Sequence, residues 1–448
     1  MRQLIVIFFG ILLLTFLVGC SVYQADISWP EARPLGKELT SFHPSIYLAD
    51  EQQQFSEPKG ILTLPQALAL SLMHNPDLRA FSWDVFSGDV RTLQAGLRSN
   101  PELEAKIKEF GGSGDLSGFG AIETIIQLSY LVELGGKRGK RRQVASLETE
   151  LVGWDYETAR LDVLTQTVQA FIDVLAAQEV IALNKELVHL AEQVFNTVKA
   201  QVEAGKVSPV EQMRAQVELA NSRIALEGAK RGLETTREVL ASTWGSTSAA
   251  FETVEGQFEM TKPIPTAEQL ANRISQNPDI ARWAVEMAQR QATIKLEKSG
   301  RVPDLSIVGG MKHLNEIGDV ALIFGLSFPL PLFDRNQGAI REAEYNRAKA
   351  FEEHKSAEVV VRKALATTYG VLSAATTTVT SLKDEVLPGA QSAFDAVTEG
   401  YHIGKFDFLE MLDVQRTLFD VRGSYIDALA EYHKAVADVE RLIGEPLN

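Results

Sequence analysis

The side chains best suited to metal or nucleophilic chemistry are one cysteine, Cys20, and seven histidines, and their spacing supports neither use. There is no CxxC pair, so a redox centre, a zinc cluster and a disulfide within the chain are ruled out. No two histidines stand four residues apart, so neither a dedicated metal site nor a cofactor is expected. Gly136-Lys137-Arg138-Gly139-Lys140 has the composition of a phosphate loop but not its spacing, and Arg141 stands where a hydroxyl residue is required. Glu410 and Asp413, three residues apart on a helix, share a face and would attract cations; a solvated face is the plain alternative. The basic run Lys137, Arg138, Lys140, Arg141 and Arg142 fits a contact with lipid phosphates or a solvated helix start. Net charge is −15, from 59 acidic against 44 basic residues, which argues against nucleic-acid binding. No catalytic constellation emerges, and an enzyme is not expected.

The elements around these residues begin with a leader. Arg2, the apolar run from Leu4 and the ending Leu17-Val18-Gly19-Cys20 read as a signal peptide over 1–19. At 15 residues, Leu4 to Val18 falls short of the roughly 20 that a spanning helix needs, and a helical inner-membrane transporter is excluded. The ending resembles the lipobox of bacterial lipoproteins, which implies acylation of Cys20 and, with Ser21 following it, sorting to the outer membrane. An ordinary secretory peptide is the alternative. Residues 20–60, rich in Gln, Pro and Ser, read as an extended polar tether carrying that anchor.

Beyond the tether the chain repeats itself. LPQALALSLMHNPDL from Leu64 is echoed by TAEQLANRISQNPDI from Thr266, an offset of 202. Gly205-Lys206 is echoed by Gly404-Lys405 at 199, as are Glu211 by Glu410 and Gln216 by Gln415. The chain is a tandem duplication, 61–247 and 266–446, with 248–265 as connector. Each half opens with a helical stretch that Asn75-Pro76-Asp77 or Asn277-Pro278-Asp279 breaks and restarts.

Two alternating segments follow in each half, about 101–110 and 121–134, then 303–313 and 319–330. Leu103, Ala105 and Ile107 oppose Glu102, Glu104, Lys106 and Lys108; Leu322, Phe324, Leu326 and Phe328 oppose Ala321, Gly325 and Ser327. Such hairpins fit a half-buried soluble sheet, or strands with one face on lipid and the other on water. Four strands cannot close a barrel and lipid does not tolerate open edges, so spanning strands would require oligomerisation. Two chains would give a filled eight-stranded barrel, three a twelve-stranded one with an aqueous lumen.

After the hairpins run long helical stretches, Lys137 to Ala204 and Asn336 to Ile403, the second interrupted by Pro388. Each stretch is about 100 Å long at 1.5 Å per residue. The helices after Gly205 and Gly404 are about half that length. The economical arrangement is a long helix descending from the strands, a glycine turn, a short helix climbing halfway, and the next half's opening helix continuing upward. The stripe Leu161, Leu164, Val168, Phe171 and Leu175 belongs to helix packing. A periplasmic scaffold of long hairpins would share this pattern.

With LPQAL and NPDL in the first helix, Glu133-Leu134-Gly135-Gly136-Lys137-Arg138, Glu203-Ala204-Gly205-Lys206-Val207-Ser208-Pro209 and Pro329-Leu330-Pro331-Leu332-Phe333-Asp334-Arg335-Asn336-Gln337-Gly338, the chain resembles the TolC-like outer-membrane efflux family, CzcC type. The resemblance covers 61–446. It implies a mainly α fold with a small β part: long helical hairpins forming a periplasmic α-barrel, and four strands per chain in a trimeric twelve-stranded outer-membrane barrel. It implies a homotrimer that exports heavy-metal cations such as cobalt, zinc, cadmium or copper, delivered by a periplasmic adaptor and an inner-membrane resistance-nodulation-division (RND) pump. Organic compounds or a secreted polypeptide are the alternative cargo. It places Gly205, Lys206, Val207, Gly404, Lys405 and Phe406 at the tip that meets the adaptor. It places Glu410 and Asp413 around the pore constriction, with Tyr401 and Glu211 helping to close it. Some members carry a basic gate partner where this chain has Phe406, so the closing network does not transfer intact.

Overall fold

A computed structural model describes Trp29 and residues 32–43, 56–259 and 261–447; the leader and Cys20 lie outside the described residues. The first half comprises β1 (Gly60–Thr63), α1 (Leu64–His74), α2 (Pro76–Ala95), β2 (Glu102–Lys108), β3 (Glu123–Val132), α3 (Lys137–Glu203) and α4 (Pro209–Ser242). After β4 (Phe251–Glu255) come α5 (Ala267–Arg273), α6 (Pro278–Ser299), β5 (Leu305–Leu314), β6 (Asp319–Ser327), α7 (Gln337–Ser381), α8 (Leu387–His402) and α9 (Phe408–Ile443). The fold is mainly α with a small β part, and the four expected strands all form. Among the described residues no helix is long and apolar enough to cross a membrane.

With no proline to break it, α3 runs for 67 residues, about 100 Å. Leu161, Leu164, Phe171 and Leu175 of its expected stripe are buried. The lower part of that stripe meets Leu240 and Trp244 at the end of α4 and Leu429 and Tyr432 of α9 in the main core. Pro388 does not end the second long helix. The turn just before it widens to π geometry over Leu382–Val386, which accommodates the missing N–H, and the helix continues as α8.

The two Asn-Pro-Asp breaks are splices between helices. Asn75 Oδ1 caps α2 by accepting from the Leu78 N–H at 2.9 Å, while its Nδ2 donates to the Thr243 carbonyl at 2.8 Å. Asn277 does the same for α6, accepting from the Asp279 N–H at 2.8 Å and donating to the Leu442 carbonyl at 3.0 Å. One asparagine thus satisfies an orphan donor of one helix and an orphan carbonyl of another. Gly245 and Gly444, both left-handed, let the backbones approach: a Cβ on Gly245 would lie 2.9 Å from Pro76, and one on Gly444 3.1 Å from the Gln276 carbonyl. This corrects the arrangement expected from helix lengths. Each short ascending helix abuts the opening helix of its own half, and the connector carries the chain sideways to the next half.

The connector is more than a linker. Its β4 pairs in parallel with β1, and Phe251, Val254 and Leu62 are buried in the main core. Tyr432 fastens the following residues by donating to the Lys262 carbonyl at 3.0 Å and accepting from its N–H at 2.9 Å.

Part of the segment expected to be a free tether is likewise fixed. Residues 32–43 dock on α3 over a buried ion pair, Glu157 with Arg160, 2.6 Å apart. Glu157 also accepts from the Arg33 N–H at 2.7 Å, and Arg160 donates to the carbonyls of Arg33 and Gly36 at 3.2 and 3.3 Å. The Leu35 N–H reaches the Gly444 carbonyl at 3.1 Å and the Phe42 N–H the Leu72 carbonyl at 3.2 Å, so this strap touches both splices. Two buried charges hold it because its backbone completes their hydrogen bonding. Arg160→Met leaves Glu157 unpaired, and thermal or denaturant unfolding should show a loss of about 3–5 kcal/mol, with residues 32–43 becoming protease-sensitive. An unchanged stability would remove the pair from the account.

Candidate functional site

The residues expected to function lie in two regions: the sheet at one end of the long helices and the turns at the other. The sheet has the order β2-β3-β5-β6, antiparallel throughout, with the edges of β2 and β6 unpaired. Register decides its character. Ala105 faces Ile126, Ile126 faces Met311 and Met311 faces Leu322; in the next row Leu103 faces Leu128, Leu128 faces Gly309 and Gly309 faces Phe324. Cross-strand partners share a face, so these rows make one apolar face, on which Leu322 is 86% and Phe324 75% exposed. The opposite face carries Lys106 paired with Glu104 at 2.6 Å and Lys312 paired with Glu123 at 3.0 Å. An exposed apolar face backed by a charged one is the pattern of a strand set between lipid and water.

The joint below the strands uses much of the basic run. Gly135 and Gly136 are both left-handed, at φ near 70°. Lys137 Nζ meets Asp304 at 2.8 Å, Lys140 Nζ donates to the Gly135 carbonyl at 2.8 Å, and Arg141 forks onto Glu133. Two of the five cations therefore tie the helix to residues flanking the strands and a third closes on the joint itself, which neither a lipid-phosphate contact nor a merely solvated helix start describes.

At the far end, Gly205 (φ 69°) and Gly404 (φ 77°) turn the chain after α3 and α8. Each turn closes the same way: the Lys206 N–H reaches the Gln201 carbonyl and the Lys405 N–H the Gly400 carbonyl, at 2.9 and 2.8 Å. Ser208 caps α4, and Asp407 with Glu410 forms a capping box on α9, both bonds at 2.9 Å. Gly205, Lys206, Gly404 and Lys405 are exposed. Val207 and Phe406 are half-buried: Val207 packs against the cluster that contains Val198 and Phe408, and the Phe406 ring occupies the space that a Cβ on Gly400 would need.

Tyr401 lies within electrostatic reach of Glu211 and is hydrogen-bonded to another residue. The Tyr401 hydroxyl donates to Gln201 Oε1 at 3.2 Å; burial, then the Glu211 charge, pushes its pKa up. Glu410 and Asp413 are exposed on an open groove of about 710 Å³ between the first turns of α4 and α9, shared with Arg214, Glu218 and Arg416. Arg416 pairs across the groove with Glu218, and that hydrogen bond raises its pKa. The Arg416–Glu218 pair, Gln201 and Gly400 escaped the sequence reading, since nothing in their spacing shows which helix each will face. Among the described residues no cluster of three or more His, Cys, Asp or Glu could hold a metal.

A one-sided sheet on paired long helical hairpins defines a TolC-like outer-membrane channel fold. It aligns with the solved structure of CusC, described for its folding and transmembrane channel formation, at a TM-score of 0.72 and 16% identity, over 95% of this chain and all of that one. Residues 67–246 and 270–445 match the outer membrane efflux protein family. The chain belongs to that family. It is 32% identical to the cobalt-zinc-cadmium resistance protein CzcC of Cupriavidus metallidurans, over 92% of this chain and 98% of the relative. It is 24% identical to the pyoverdine export outer membrane protein OpmQ of Pseudomonas aeruginosa, over 92% of each.

A Cβ at Gly404 would meet open space, so only the left-handed backbone opposes a side chain there. Gly404→Ala should cost about 1–2 kcal/mol locally, read as faster hydrogen exchange over residues 396–410, with Gly404→Asn milder. Equal exchange in both variants and wild type would contradict this.

Proposed function

We propose that three copies of this chain form an outer-membrane duct that passively exports heavy-metal cations, supplied by a periplasmic adaptor and an inner-membrane RND pump, and that the chain hydrolyses nothing. The observation that carries the duct is the four-stranded sheet with one largely apolar face and two open edges. Three copies supply twelve strands and an aqueous lumen, lined by the face that bears Glu104, Lys106, Glu123 and Lys312. Acylation of Cys20 would add a lipid anchor beside the barrel. The exposed turns at Gly205-Lys206 and Gly404-Lys405 are the surfaces offered to the adaptor. Glu410 and Asp413, three copies of each, would ring the constriction and favour cations, with Tyr401 and Glu211 behind them in the closed tip.

Metal cargo is supported by the similarity to a cobalt-zinc-cadmium resistance protein over nearly the whole of both chains. Similarity to a pyoverdine exporter favours a second reading, organic cargo through the same duct. A deletion strain should lose tolerance to zinc, cobalt or cadmium; loss of antibiotic tolerance alone would reject metal cargo.

The duct and its constriction are tested in a planar bilayer with the purified full-length protein. Discrete channels blocked by millimolar divalent cations are expected. Glu410→Ala combined with Asp413→Ala should raise conductance or weaken the block. Unchanged values for both would remove these residues from the gate, and silence in wild type and double variant alike would sink the duct.

A further inference from the structure

The segment between β6 and α7 is an exposed apolar finger. Leu330, Leu332 and Phe333 are 67%, 64% and 90% exposed. It is nonetheless held in one shape by its own polar residues. The Leu332 N–H donates to the Leu330 carbonyl at 2.8 Å, Arg335 Nε to the Pro331 carbonyl at 3.2 Å and Gln337 Nε2 to the Phe333 carbonyl at 3.2 Å. The Asn336 N–H donates to Asp334 Oδ1 at 2.9 Å, and Pro329 and Pro331 restrict the backbone further. A chain that fixes three large apolar side chains outward has a surface for them to meet.

The duplication indicates which surface. Gly136 and Asn336 are equivalent positions, each the left-handed N-cap of a long helix, at φ 69° and 59°. The joint at Gly136 is completed by the other half of the chain. The Leu134 N–H and Lys137 Nζ converge on Asp304 at 3.0 and 2.8 Å, and a Cβ on Gly135 would lie 3.1 Å from Val302. At the 202-residue offset, Val302 and Asp304 correspond to Asn100 and Glu102. Residues 97–102 of the same chain do not serve the joint at Asn336, because β2 and β6 are opposite edges of the sheet. Three strand spacings, about 14 Å, separate them. Another copy can supply the equivalent contact.

We propose that the finger, residues 329–335 of one protomer, seats on residues 97–102 and the end of α2 in a second copy of this chain and forms the subunit joint where strands meet helices. The inference rests on the reading of the chain as a homo-oligomeric duct. Leu97 and Val90, 47% and 58% exposed, lie on the receiving segment. The two joints differ as their partners do: four residues (133–136) and an ion pair close the first within the chain, whereas the second has nine (328–336), of which Asn336 is tied to Glu297 of its own chain by Nδ2 at 3.0 and 2.7 Å and the apolar tip reaches to the next.

The test is disulfide crosslinking of the full-length protein in membranes, where Cys20 is the one native cysteine. Two pairs are used: Asn100→Cys with Arg335→Cys, and Leu97→Cys with Phe333→Cys, which leaves Arg335 in place. A bond within one chain is precluded, since bridged Cα atoms must lie within about 7 Å. Oxidation should give reductant-sensitive dimers and trimers on denaturing gels for the double variants and none for the singles. Phe333→Asp should lower the trimer fraction by about tenfold while Phe333→Leu leaves it intact. Trimers by native mass with neither pair crosslinked, and with Phe333→Cys labelled by a lipid-soluble maleimide, would place the finger in lipid and overturn the inference while leaving the duct standing. A protein that is monomeric before any substitution would instead overturn the duct reading beneath it.

Discussion

Hydrocarbon offers no partner for a backbone N–H or C=O, and each group left unpaired there costs several kcal/mol. The outer edges of β2 and β6 expose such groups along seven and nine residues, on a sheet whose apolar face suits it to lipid. One chain cannot resolve this conflict. In the proposed trimer, closure by further copies does, and much else would follow from it. The helices that leave the strands must descend together, the turns at Gly205 and Gly404 must gather at one end, and side chains repeated by symmetry become rings.

The helical part meets a different demand, rigidity over about 100 Å with little buried volume. Long α3 serves as a rail, and shorter helices are spliced end to end along it by Asn75 and Asn277. The splices lie at the level where the β1–β4 pair, the connector and the strap at residues 32–43 all converge. Apolar burial is densest there, around Leu240, Trp244, Phe251 and Tyr432. The tip has a small separate cluster around Val198, Phe408 and Met411, supplemented by Tyr401–Gln201 and Arg416–Glu218. A thinly packed end tied by polar contacts is the natural place for a duct to open.

Local pattern made much of this legible. Strict alternation marked the strands, the absence of proline gave the length of α3, and the repeated Gly-Lys located both turns. What could not be read depends on partners distant in sequence. The β1–β4 pairing joins segments about 190 residues apart, so neither short strand carries a signal of its own. Helix lengths alone put each ascending helix beneath the wrong opening helix, because length does not reveal that the Asn75 amide reaches Thr243. The polar composition of residues 20–60 suggested a free tether, yet residues 32–43 dock through backbone groups on Glu157 and Arg160. The basic run after β3 fitted either lipid phosphates or a solvated helix start, since nothing local shows that Asp304 and Glu133 come opposite it.

The number of chains that close the sheet decides whether its edges can lie in lipid. Native mass spectrometry of the full-length protein, extracted from membranes without crosslinker, counts them directly. A predominant species of three chains is predicted. A monomer would contradict the account, because two unpaired strand edges would then face lipid, and a dimer would contradict the open lumen, because eight strands leave room for little more than their own side chains.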